Sequence, residues 1–204
     1  DMDNVEGATI PVELAWKPKL SMFDGLPGEY KLGALYSTAE AKDVKTTGKV
    51  HDGKQSFWLN AQQQLTQQGA DPKRGLYISF NGVINDKATT TVQSTQQIAL
   101  WYKGPLENRP NDSIGFGLAN YVVNERVQDR QIATNQSRGY DRYDAFANDY
   151  TPIQRDELNV ELNYTYQWSP AVMLRPNLQY IHQPSGVKEV DDAWVAGLSM
   201  RVNF

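Results

Sequence analysis

Polar side chains recur at every second position in two neighbouring stretches near the end of the chain. They are Glu157, Asn159, Glu161 and Asn163 in the first stretch and Arg175, Asn177 and Gln179 in the second. Carboxylates accept hydrogen bonds, amides both donate and accept, and a guanidinium group donates in pairs. Together these groups suit vicinal hydroxyls, so the pattern predicts a surface that favours neutral, hydroxyl-rich solutes over strongly charged ones.

A short turn at Ser169-Pro170 separates the two stretches. If two antiparallel strands pair symmetrically around it, side chains of the same face become cross-strand neighbours. The expected pairs are Thr165 with Arg175, Asn163 with Asn177, and Glu161 with Gln179. We therefore predict a ladder of hydrogen-bonding groups, although any single member could serve only to keep the surface wet and paired.

The same alternation places further polar and aromatic side chains on this face at other points in the chain. They are Lys31, Trp58, Asn60 and Arg201. An aromatic ring such as that of Trp58 can stack on the apolar face of a sugar. We therefore add these four residues to the candidate solute-lining set.

The elements that carry these residues are predicted to be strands, because apolar and polar residues alternate and helical periodicity is nearly absent. The clearest case is LNVELNYTYQW at 158–168, which has one apolar face and one polar face. Nine such strands can be counted. They lie around 10–16, 30–36, 57–61, 76–84, 98–102, 114–118, 158–168, 172–180 and 194–204.

The predicted connections alternate between short turns and longer polar loops, as in an up-and-down meander. The short ones lie near 18–28, 69–73, 104–112 and 169–170, and the longer ones at 38–54, 86–92, 124–156 and 184–192. Aromatic residues gather at both strand ends, as Trp16 and Tyr30 do at the short turns and Tyr180 and Trp194 at the long loops. Two aromatic girdles that flank an apolar band are typical of membrane barrels. We therefore predict an all-β fold, a transmembrane antiparallel up-and-down β-barrel with a polar lumen; a soluble β-sandwich that binds carbohydrate is the alternative.

The segment 124–156 is too long to be an ordinary connection, and it interleaves arginines and aspartates with aromatic residues. The strand before it carries Gly115 and Gly117 on its polar face, which leaves room for something to lie against the wall. One hypothesis is that part of the segment folds inward and narrows the pore, with Arg126 and Arg130 touching solute. The alternative is an exposed extracellular loop with paired surface charges.

The composition excludes several other classes of protein. The chain has 204 residues, a net charge of -4, no cysteine and a mean hydropathy of -0.60. The sequence has no apolar run long enough for a membrane-spanning helix, no cysteine for a disulfide and no basic stripe for nucleic acid. It also lacks recognisable nucleophile, metal and phosphate motifs, so we predict no enzyme activity, no catalytic residue, no metal and no cofactor.

Three stretches carry a resemblance to a known family. They are RGLYISFNGVIND at 74–86, ALWYKGPLENRPNDSIGFGLA at 99–119 and ELNVELNYTYQWSPAVMLRPNLQYIHQPSG at 157–186. They resemble the carbohydrate-selective porins of Gram-negative outer membranes, the OprB type. The resemblance implies a barrel of about sixteen strands in the cell outer membrane. It also implies small carbohydrates as solutes, contact with outer-membrane lipids and lipopolysaccharide, and a terminal aromatic residue, here Phe204, that the outer-membrane assembly machinery reads.

Nine strands would leave an open edge, and the backbone groups of that edge cannot stay unpaired in lipid. We therefore expect residues 1–204 to be the carboxyl-terminal part of a longer barrel that amino-terminal strands complete. The chain starts without a recognisable export signal, which we expect to have been removed or to lie outside it. The predicted function is passive, sugar-preferring diffusion of small, glucose-like carbohydrates, and a general or anion-selective porin is the alternative.

Overall fold

A computed structural model describes residues 7–141, 143–144 and 146–203. Within them the chain forms eleven strands and one α-helix. In chain order these are β1 (Thr9–Trp16), β2 (Gly28–Ser37), β3 (Ala41–Lys42), β4 (Val50–His51), β5 (Lys54–Gln64), β6 (Gly75–Asn85), β7 (Val92–Lys103), β8 (Ser113–Val123), α1 (Glu125–Ser137), β9 (Glu157–Gln167), β10 (Val172–His182) and β11 (Ala193–Val202). Nine of the strands form one antiparallel sheet in sequence order, with β3 and β4 forming a separate small ribbon. The predicted nine-stranded meander is confirmed.

The pairing of β9 with β10 follows the predicted symmetric register. Asn163 lies opposite Asn177, and Glu161 lies opposite Gln179. The connections at one end of the sheet, the short-turn end, are 17–27, 65–74, 104–112 and 168–171. Those at the other, the long-loop end, are 38–53, 86–91, 124–156 and 183–192, and they include the two longest. Because side chains alternate between the two faces of a strand, this register places the predicted ladder on a single face.

The apolar face of the sheet is exposed to the surroundings. Leu14 and Leu198, which lie on the first and last strands of the sheet, are 72% and 71% exposed. Among the described residues only Val44, Val123 and Val127 are buried apolar side chains, and they form one small cluster. A soluble sandwich would bury its apolar faces against each other, so this sheet contradicts that alternative.

Aromatic side chains lie in pairs at both ends of the apolar face. At the short-turn end the rings of Trp16 and Tyr30 are 5.7 Å apart, and at the long-loop end those of Tyr180 and Trp194 are 5.1 Å apart. Rings at these two levels match the headgroup belts of a membrane protein. The predicted role of Phe204 lies outside the described residues.

The long-loop end contains more regular structure than the sequence predicted. The segment 124–156, expected to be a loop, begins with the thirteen-residue helix α1. Asn124 caps this helix by accepting a hydrogen bond from the backbone N–H of Arg126. The predicted loop 38–54 likewise holds the β3–β4 ribbon.

In the described part of the chain, no helix has both the length and the apolar character that crossing a membrane requires.

Candidate functional site

Glu161 lies at the centre of the predicted ladder on the polar face. Its carboxylate accepts hydrogen bonds from the amide nitrogens of Asn163 at 2.8 Å, Asn177 at 3.2 Å and Gln179 at 2.6 Å. Because the three amide nitrogens turn toward Glu161, their oxygens are the groups left over, and those oxygens accept no hydrogen bond from another described residue. The ladder therefore offers acceptors to a hydroxyl-bearing solute.

Two further members of the predicted set lie beside this ladder. Arg175 donates from Nε to Thr165 Oγ1 at 3.0 Å, which confirms the expected cross-strand neighbours, and its side chain is exposed. Glu157, at the long-loop end, accepts hydrogen bonds from Asn159 and from the backbone N–H of Ser185. Glu157 thus ties β9 to the loop after β10, whereas Arg175 keeps the end of its guanidinium group available.

The residues Lys31, Trp58 and Asn60 form a second group on β2 and β5. The indole nitrogen of Trp58 donates to Glu13 at 2.7 Å, and the Lys31 ammonium lies 3.9 Å from the same carboxylate. The ring of Trp58 covers Gly33, where an added Cβ would come within 2.2 Å of the ring atoms. These three side chains therefore already have polar partners, Glu13 for Trp58 and Lys31, and Asn81 for Asn60.

Arg201 stands apart from both groups. It lies on β11 opposite Met173, and its side chain is exposed. No hydrogen bond or ion pair to Arg201 occurs within 7–141, 143–144 and 146–203. Its role as a solute-lining residue stays a prediction.

A recess opens on the polar face between β7 and β10. It has a volume of about 590 Å³, and its lining includes Trp101, Gly115, Gly117, Glu161, Asn163 and Arg175. The floor is open at Gly117, whereas the amide of Asn163 lies over Gly115. Trp101 stands on one side of this floor and the ladder on the other. Trp101 was not among the predicted solute-lining residues, although the alternation that points Leu100 and Tyr102 outward would have placed it inward.

Arg126 and Arg130 both lie on helix α1. Arg126 donates from Nη2 to both carboxylate oxygens of the buried Asp43, at 2.8 and 3.0 Å. Arg130 follows one turn later and is exposed. Lys45 forms an ion pair of 2.7 Å with Asp129 of the same helix. The structure thus attaches α1 to the β3–β4 ribbon, and the contact of either arginine with solute stays a prediction.

Asp43 accepts hydrogen bonds from several segments of the long-loop end, although it was not among the predicted site residues. Besides Arg126, it accepts hydrogen bonds from His51 Nε2 and from the backbone N–H groups of Lys45 and Thr46, each at 2.8 Å. The hydrogen bond from His51, followed by those from the backbone, holds the pKa of Asp43 well below its usual range. Asp43 therefore stays ionised and holds the long-loop end together.

A second buried carboxylate, Asp112, organises the short-turn end. It accepts two hydrogen bonds from Arg109 at 2.8 and 2.9 Å, one from Tyr164 Oη at 2.6 Å and one from the backbone N–H of Gln167 at 2.9 Å. Burial alone raises the pKa of Asp112, but the hydrogen bonds outweigh it, so the net pKa is lowered. The Arg109 guanidinium also lies 4.1 Å from the ring centre of Tyr166.

The exposed apolar face, the aromatic rims and the polar inner face together define the wall of an outer-membrane β-barrel of the porin class. All 204 residues match the family described as carbohydrate-selective porin, OprB family. The chain belongs to this family of Gram-negative outer-membrane porins.

Named relatives agree with this assignment. The chain is 79% identical over its whole length to porin QuiX of Acinetobacter baylyi, and 44% identical over 98% of its length to Porin B of Pseudomonas aeruginosa. It covers 46% of each of these relatives, so it spans about half their length.

Solved structures show the same arrangement of strands. The high-pH structure of OprB from Pseudomonas putida superposes with a TM-score of 0.93 at 42% identity, over all of this chain and 50% of that one. The low-pH structure of the same protein gives a TM-score of 0.65 at 35% identity, over 98% of this chain and 47% of that one.

Proposed function

We propose that this chain forms part of the wall of an outer-membrane pore for passive, sugar-preferring diffusion of small, glucose-like carbohydrates. The observation that carries the proposal is the ladder around Glu161, whose three amides donate to the carboxylate and keep oxygens that accept no hydrogen bond from a described residue. A hydroxyl-rich solute that sheds water on entering can replace the lost hydrogen bonds there. The family description, carbohydrate-selective porin, supports the choice of sugar as the solute class.

The charges near the recess favour a neutral solute over an anion. The lining of the recess holds one carboxylate, Glu161, and one guanidinium, Arg175. An anion-selective lumen would carry an excess of unpaired cations, whereas the ammonium of Lys31 lies near Glu29 and Glu13. This balance of charges supports a sugar-preferring porin over a general or anion-selective one.

Single-channel recording with the full-length porin in KCl tests this proposal. Glucose and maltose should reduce the open-channel current in a concentration-dependent way, because a bound sugar occludes the path of ions. The reversal potential in a KCl gradient should show only weak preference between potassium and chloride. Strong chloride preference without any block by sugar would favour the anion-selective alternative.

We also propose that residues 1–204 belong to the carboxyl-terminal part of one longer barrel. Strands β1 and β11 are the two edges of the described sheet, and an edge in lipid needs a partner for its backbone groups. Amino-terminal strands of the same protein are the proposed partner. Outer-membrane lipids and lipopolysaccharide would contact the apolar face, and the assembly machinery would act on the whole barrel.

The segment 124–156 is proposed as a cover over the long-loop, extracellular end of the pore, with Arg126 and Arg130 as candidates for contact with solute. The attachment of α1 to Asp43 supports a fixed position for this helix. The alternative, an exposed loop with paired surface charges, draws support from the ion pair between Lys45 and Asp129.

A further inference from the structure

Tyr77 and Trp101 form an aromatic stack on the polar face of the sheet. They are direct partners on β6 and β7, and their rings lie 5.2 Å apart with planes only 8° from parallel. This spacing is close to the distance between neighbouring strands, so the stack runs across the strands. One face of the Trp101 ring therefore contacts Tyr77, and the other is turned toward the next strand, β8.

The next position in this cross-strand row has no side chain. Gly115 is the direct partner of Trp101, and Asn163 is the direct partner of Gly115 on β9. Gly117, two residues further along β8, is likewise the partner of Glu161. The amide of Asn163 lies over Gly115, where an added Cβ would come 2.9 Å from its Oδ1, so the open part of the floor is at Gly117. The row thus passes from an aromatic face to the ladder of amides, with open backbone beside it at Gly117.

The recess over this floor has the size and the chemistry of a ligand site. Its volume of about 590 Å³ lies within the range typical of small-molecule pockets. The Trp101 indole N–H donates no hydrogen bond to any other described residue. The oxygens of Asn163 and Gln179 are open acceptors on the opposite side, and Arg175 adds a donor.

We propose that this recess is a saccharide-binding subsite on the pore wall, in which a pyranose ring stacks on the free face of Trp101. The ring lies above Gly117, beside the Asn163 amide that covers Gly115, and its equatorial hydroxyls donate to the oxygens of Asn163 and Gln179. This inference rests on the proposed function and adds a defined binding site along the proposed sugar path. The ligand class is a neutral pyranose with an apolar C–H face, because the opposed walls of the recess are one aromatic and one polar.

Two substitutions test the subsite from opposite sides. Trp101→Ala removes the stacking surface, and Trp101→Phe keeps an aromatic face while removing the indole N–H. Gly117→Val fills the recess instead; an added Cβ at Gly117 would meet nothing closer than 3.8 Å, and a β-branched residue suits a strand. The matched control is Trp194→Ala, because Trp194 lies on the exposed apolar face.

The readout is the glucose concentration that half-blocks the KCl current of the full-length porin. Trp101→Ala and Gly117→Val should each raise that concentration by about three- to tenfold, the range expected for one aromatic stacking contact. Trp101→Phe should stay within about twofold of the unchanged protein, and Trp194→Ala should match it. Heat-modifiable migration on gels would confirm that each variant is folded.

Unchanged half-blocking concentrations in both folded Trp101→Ala and Gly117→Val porins would overturn the subsite, while block of the unchanged porin by glucose would leave the proposed function standing. A failure of the proposed function gives a different result, because the unchanged porin itself would then show no block by sugar.

Discussion

The two buried carboxylates, one at each end of the sheet, make more hydrogen bonds than the residues on its polar face do. Asp112 accepts four hydrogen bonds and Asp43 five, whereas Arg175 makes one and keeps most of its donors free. Residues that hold the fold together are thus saturated with partners. The residues proposed to meet solute, such as Arg175, keep part of their hydrogen-bonding capacity unused, as a passage for hydroxyl groups would require.

The first prediction concerns Asp112. Asp112→Asn should lower the free energy of unfolding in detergent by about 2 kcal/mol. The reason is that the new amide N–H₂ group would lie opposite an N–H donor of Arg109, so that neither donor would have an acceptor. Urea titration followed by heat-modifiable migration on gels measures this. Asp71→Asn is the control: Asp71 is exposed in another short turn and accepts one backbone hydrogen bond, which an amide oxygen can still accept.

The effect of Asp112→Asn should also depend on pH. The folded-state pKa of Asp112 is lowered, so its stabilising contribution is fully present above the unfolded-state pKa, about 3.9. That contribution is lost as the pH falls through the folded-state value. The difference between Asp112→Asn and the unchanged porin should therefore be constant from pH 8 to pH 5 and shrink below about pH 4. A difference that grew on acidification would contradict this account.

Helix α1 was not predicted from the sequence, whereas the nine strands were predicted correctly. The strands have an apolar and a polar face, which the sequence records as a period of two. The buried face of α1 consists of Val127, Gln131 and Asn135, and only one of these is apolar. Two of its contacts are amide hydrogen bonds to Gln154 and Thr151, so the helix leaves no apolar stripe in the sequence. Asn124 followed by Glu125 was the available signal, as a cap before an acidic first turn.

The contribution of α1 to the pore can be tested through its arginines. Arg126→Ala removes both the Asp43 contact and the positive charge, whereas Asp43→Asn removes the carboxylate charge but leaves Arg126 in place. Arg130→Ala removes an exposed charge, and Arg138→Ala is the control at the end of the same helix, where Arg138 bonds to residues of its own loop. If the helix lies in the solute path, Arg126→Ala and Arg130→Ala should change the half-blocking concentration of glucose severalfold. Arg138→Ala should then leave it unchanged.

The relation between Arg126→Ala and Asp43→Asn separates contact from positioning. Direct contact with solute predicts a larger effect for Arg126→Ala than for Asp43→Asn. Equal effects would indicate that the pair only positions the loop. No effect of Arg126→Ala or Arg130→Ala on sugar block would place the helix outside the solute path.

At the scale of the whole molecule, the unusual feature is a hydrophilic sequence whose apolar side chains are on the outside. The alternation, the turn lengths and the aromatic ends were enough to predict the meander and its register, as the pairing of Glu161 with Gln179 illustrates. The ladder was likewise predictable, since it follows from counting residues on one face. The hydrogen-bond network around Asp43 could not be predicted, because Asp43 and Arg126 are 83 positions apart and only the folded chain brings them together.

Liposome swelling with the full-length porin tests the central claim most directly. Glucose, gluconate and glucosamine have similar sizes but are neutral, negative and positive, so their swelling rates separate sugar preference from sieving by size. Glucose should enter severalfold faster than either charged analogue, and Glu161→Ala, which releases the three amides, should narrow the difference. Equal rates for the three solutes, or faster entry of gluconate, would contradict the proposed preference for sugars.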